Sequence, residues 1–166
     1  MNYAKYSFTY NYKMFNGYFM KELYTEKSMH IGLLVVRVGM GLAMIFHGYP
    51  KLMGGAEKWE AIGSSLNYLG ITWGHSTFGF LAGLIETLGG LLLILGLFHL
   101  PVVFFLWSTI LVALIYKINV SDGFLGFAHP LEVSIIFLGL LITGPGNYSI
   151  DKIWNNNDSR NTNLKQ

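Results

Sequence analysis

Residues 78–118, FGFLAGLIETLGGLLLILGLFHLPVVFFLWSTILVALIYKI, form a forty-one-residue stretch with only two charged side chains, Glu86 and Lys117. A single helix of that length would run roughly 60 Å at ~1.5 Å per residue, twice the ~30 Å of a bilayer's hydrocarbon core. The stretch must therefore turn back on itself. Gly96, His99 and Pro101 mark the reversal. Glycine readily takes the left-handed conformation that closes a helix, and proline opens one where its missing N–H is not needed. Apolar blocks of similar length flank this hairpin, giving four spans at about 31–49, 78–97, 101–118 and 124–144. The predicted fold is all-α, an integral membrane four-helix bundle of two antiparallel transmembrane hairpins.

Composition points the same way. Of 166 residues, 12% are charged, about half the roughly 25% of soluble domains, and 52% are hydrophobic. Eleven basic and nine acidic residues nearly cancel, and no Lys/Arg-rich run is present, so nucleic-acid binding is set aside. Cysteine is absent. That excludes disulfides, thiolate metal or iron–sulfur sites, c-type haem attachment and dithiol redox chemistry in this chain.

Charge asymmetry orients the spans. Lys5, Lys13, Lys21 and Lys27 precede the first, and Lys152, Arg160 and Lys165 follow the last, against Lys51 and Lys58 in the 50–77 loop. The positive-inside rule places both termini in the cytoplasm. Lys117 dissents, snorkelling outward from the end of the third span. Residues 1–30 interleave lysines with nine aromatics, a mixture suited to a membrane–water interface or to a disordered leader, and do not read as a cleaved signal. The Asn-rich segment within 153–166 reads as a polar cytoplasmic tail. In the 50–77 loop, Trp59, Ile62, Leu66 and Leu69 recur at helical spacing opposite Glu60, Ser64 and Asn67. This predicts an amphipathic helix on the outer interface, able to roof a pocket.

Ionisable groups inside a bilayer are costly, so each is a functional candidate. Arg37, Met40, Met44 and His47 share a broad face of the first span; Gly79, Gly83, Glu86 and Gly90 share one face of the second. Glycine lets a neighbouring backbone approach and turns Glu86 inward. His129 and Glu132 lie one turn apart on the fourth span. Glu86 sits roughly 12 Å in from one surface and Arg37 roughly 9 Å from the other, so a long-armed Arg37–Glu86 pair is geometrically accessible. The candidate site is a polar cluster of Arg37, His47, Lys51, Glu86, His129 and Glu132 in the outer half of the bundle. Within apolar walls, His or Arg donors and a carboxylate that exchanges a proton meet the needs of a quinone. Haem b asks more, since His47 and His129 would have to face one another across a cavity. No metal site is expected, because only His129–Glu132 has useful spacing.

The linear arrangement of these residues resembles the DoxX family of small bacterial four-helix membrane proteins. The resemblance lies in Arg37-Val38-Gly39-Met40-Gly41 with His47-Gly48-Tyr49-Pro50-Lys51-Leu52; in Leu81-Ala82-Gly83-Leu84-Ile85-Glu86-Thr87-Leu88-Gly89-Gly90 and Leu95-Gly96-Leu97; in His129 and Glu132; and in Gly144-Pro145-Gly146-Asn147-Tyr148-Ser149-Ile150-Asp151. It covers about residues 31–152. The family takes its name from a membrane subunit connected with thiosulfate:quinone oxidoreductase. The resemblance therefore implies a multi-pass inner-membrane protein, a small subunit or anchor of an oxidoreductase system with other membrane or peripheral redox subunits as partners. Without cysteine, any thiosulfate chemistry would fall to a partner. A non-enzymatic solute binding or transport protein, or an assembly partner, remains the alternative. Four spans leave almost no soluble mass, so catalysis on a water-soluble substrate would need another subunit.

Overall fold

Thr25 sets the start of the first span. Its hydroxyl accepts the Ser28 N–H at 3.3 Å, and Glu26 follows in the first turn, where a negative charge suits the helix dipole. The computed structural model describes residues 25–121 and 123–155; the expectations for the leader before residue 25 and the tail after 155 lie outside these. Helix α1 (Glu26–Leu52) is longer than the predicted span at both ends and carries Pro50 through its last turn. Then come α2 (Gly55–Gly63), a 3₁₀ segment (Ser64–Leu69), α3 (His75–Leu95), α4 (His99–Val120) and α5 (Phe124–Thr143). Four of them, α1, α3, α4 and α5, are long and apolar enough to cross a membrane.

The reversal at 96–98 is tight. Gly96 takes φ 64° as it closes α3, and Phe98 takes φ 50° just before α4. Pro101 lies in the third position of α4 rather than opening it, because the helix begins at His99. Among the four spanning helices, packing is most extensive between α1 and α3 and next between α4 and α5, while α3 and α4 share less; the short α2 also packs closely on α3. Gly41 and Gly90 explain the first pairing. A Cβ on either would come within 2.6 Å of the other's carbonyl oxygen, so the two backbones touch only because both side chains are absent.

Met44, Leu93, Val103, Leu106, Phe137 and Leu140 close the core from all four spanning helices. The outward faces are apolar: Leu125 is 89% exposed and Ile142 79%, an arrangement stable only when hydrocarbon is the solvent. In the loop after α1, Ile62 and Leu66 turn inward, but Leu69 is exposed. The 3.6-residue spacing drawn through Leu69 fails because the chain tightens to three residues per turn after Gly63.

Candidate functional site

The six polar candidates separate into three places, and of the six only Lys51 and Glu86 line a described cavity. Arg37 is fully buried on α1 and does not meet Glu86. Its guanidinium donates to the carbonyls of Pro145, Tyr148 (2.7 Å) and Ile94 (3.4 Å). The expected Arg37–Glu86 pair is thus corrected. The Gly-Pro-Gly segment folds back over the end of the bundle and brings three carbonyl oxygens to Arg37 before a carboxylate can reach it. Asp151, from the same segment, accepts the N–H groups of Phe98 (2.9 Å) and His99 (2.8 Å), capping α4. Its own N–H donates to Gly96 at 3.1 Å. A Cβ on Gly96 would fall 2.6 Å from the Arg37 guanidinium. Arg37, Gly96, Pro145, Ser149 and Asp151 therefore form a staple tying α1, the α3–α4 turn and the chain after α5 together. Asp151→Ala is expected to lower stability by about 1–2 kcal/mol through the lost cap, read by reversible unfolding in mixed micelles, with Asp151→Asn recovering only part of it, because its amide nitrogen cannot accept one of the two N–H groups.

Glu86 finds its partner on α1. Gly48 lets α3 so close that a Cβ there would sit 2.6 Å from the Glu86 Cβ. Lys51, one turn further along, places its Nζ 2.6 Å from Glu86 Oε1. Glu86 is 3% exposed, and among the described residues its Oε2 is buried without a partner. A buried carboxylate oxygen with nothing to accept from is expensive. Trp59 Nε1–H donates to the Lys51 carbonyl at 2.9 Å, which holds α2 over this pair.

Glu86 and Lys51 border a 630 Å³ cavity between α3, α4, α2 and the 3₁₀ segment. Its walls include Leu66, Phe78, Leu81, Ile85, Phe105 and Val112, and its polar margin adds Lys58, Lys117, Ser108, Thr109 and Tyr116. That size is in the range of small-molecule sites, which are mostly apolar with a few convergent polar groups. Of the α4 contributors only Lys117 was noted from sequence, because the rest of α4 is largely apolar and no periodicity marks which face turns to the cavity.

His47 and His129 meet elsewhere. Their ring centroids are 6.2 Å apart at 45°, bridging the ends of α1 and α5. Both imidazoles and Glu132 are exposed on the outside of the bundle and do not line the cavity. Among the described residues, no three His, Asp or Glu side chains are grouped so as to hold a metal ion.

Comparison with known proteins places this architecture. The DoxX family model matches residues 32–118. The inner membrane protein YqjF of Escherichia coli is similar at 33% identity over 139 residues, covering 78% of this chain and 97% of that protein. No solved structure matches. With Glu86 and Lys51, the α1 and α3 glycines and the α3–α4 turn all inside the matched region, the chain belongs to the DoxX family of membrane proteins.

Proposed function

We propose that this chain is a small inner-membrane subunit of an oxidoreductase system that binds a quinone-like lipophilic ligand in the cavity beside Glu86. The observation that carries this reading is the unpartnered Oε2 of Glu86, buried beside the Lys51 ammonium at the margin of an apolar cavity. A quinol head offers what that pair lacks: a hydroxyl to donate to Oε2, and an oxygen to accept from the N–H groups Lys51 does not spend on Glu86. Oxidation of a bound quinol to the quinone would release two protons and two electrons. Glu86 would take the first proton, with Lys51 holding the carboxylate ready, and the second would leave to the aqueous phase. The electrons would pass to a redox centre of a partner subunit. Lys51 replaces the donor role expected of Arg37, which is committed to the staple. The relative named as an inner membrane protein and the lysine excess around the termini support an inner-membrane location with both termini cytoplasmic, so that the cavity lies in the outer half of the bilayer.

The test is recovery of small molecules from the full chain purified in mild detergent, by mass spectrometry. Wild type is expected to retain a quinone and Glu86→Gln to lose at least about tenfold, the ratio set by a hydrogen bond to a charged group. Equal retention by the two proteins, or none by wild type, would sink the proposal. A second reading has its own observation. Lys51, Lys58 and Lys117 border the cavity against the single carboxylate of Glu86, a balance that favours a lipophilic anion bound or carried without electron transfer. Recovery of an anionic amphiphile in place of a quinone would select it.

A further inference from the structure

Glu132 lies on the outside of α5, about 12 Å along the helix from its Phe124 end. Among the described residues it has neither a hydrogen bond nor an ion pair. A carboxylate facing lipid at that depth is unfavourable, and the long-armed lysines that snorkel elsewhere have no counterpart in so short a side chain. His129, one turn away, and His47 are likewise exposed, and neither imidazole has a hydrogen bond among the described residues. The surface thus carries an acceptor and two donors side by side, all unmet among the described residues.

We propose that this face of α5 is the interface with a second copy of the chain. A patch with both an acceptor and donors is self-complementary, as a two-fold interface requires. Two α5 helices running parallel about an axis along the bilayer normal would bring Glu132 within about 4.5 Å of axial height of His129 of the partner subunit, three residues along. The carboxylate then receives an imidazole N–H and leaves the lipid. The seam continues at a 3–4 repeat: His129, Glu132, Ile136, Gly139 and Thr143 are all exposed. Gly139 has no internal packing role, since a Cβ there meets nothing within 4 Å.

The absence of cysteine makes the test clean. Single cysteines are introduced in the full chain in native membranes, as Ile136→Cys and Gly139→Cys on the seam and Leu88→Cys on the exposed face of α3, and oxidised. The seam variants are expected to give the covalent dimer and Leu88→Cys little of it. Adding Glu132→Leu, which removes a polar group from the lipid-facing surface without touching the core, is expected to lower seam crosslinking about tenfold. Seam crosslinking no higher than at Leu88→Cys would overturn the proposal. So would crosslinking that Glu132→Leu leaves unchanged, which would mean that the Glu132 carboxylate does not hold the two copies together.

Discussion

Arg37→Ala is expected to destabilise the folded bundle by about 3–5 kcal/mol. Three carbonyl oxygens, from Ile94, Pro145 and Tyr148, share one guanidinium, and Arg37 is completely buried. Alanine leaves those acceptors facing each other around a void that hydrocarbon cannot satisfy. The loss spreads further, because the same segment presents Asp151 to the start of α4. Arg37→Lys is expected to recover only part, since an ammonium on a flexible stem cannot fork to three fixed acceptors. Reversible unfolding in mixed micelles reads the difference. A loss below about 1 kcal/mol, the scale of an exposed contact, would show that the staple does not hold the bundle together.

Lys51→Met is expected to cost about 3–5 kcal/mol for the opposite reason: it strands a charge rather than removing one. Glu86 is 3% exposed with Oε2 already unpartnered, and taking away Lys51 leaves Oε1 unpartnered as well. Methionine keeps much of the apolar stem, so the loss reports the charge. The double change Lys51→Met with Glu86→Leu removes both charges, and its stability is expected to return most of the way to wild type. Ligand binding does not return with it. That split between recovered fold and lost ligand separates a working pair from a structural one, for which the double variant would be silent.

The solvent, the four spans and their hairpin order were legible from sequence, because a bilayer sets element length through simple geometry. Glycine spacing on α3 likewise indicated that Glu86 turns inward. The partners of the polar residues were less legible. Lys51 reaches Glu86 because Gly48 closes the gap between helices, and Arg37 is claimed by backbone carbonyls, which leave no trace in residue identity. The motif around Pro145 and Asp151 was visible as a pattern, but its work as a staple depends on a turn that returns it to Arg37 and His99. His47 was placed with Glu86 by depth and by a broad helical face shared with Arg37 and Met44, and His129 and Glu132 by depth alone. Depth cannot say which side of a helix faces the interior when both sides are apolar.

The most direct test of the Glu86 cavity as a ligand site is photolabelling of the full chain in native membranes with a quinone that carries a photoreactive group, followed by peptide mapping. Adducts within residues 58–66 and 105–117 that are lost in the Lys51→Met, Glu86→Leu double variant are the expected result. Adducts confined to other segments, or undiminished in that variant, would contradict it.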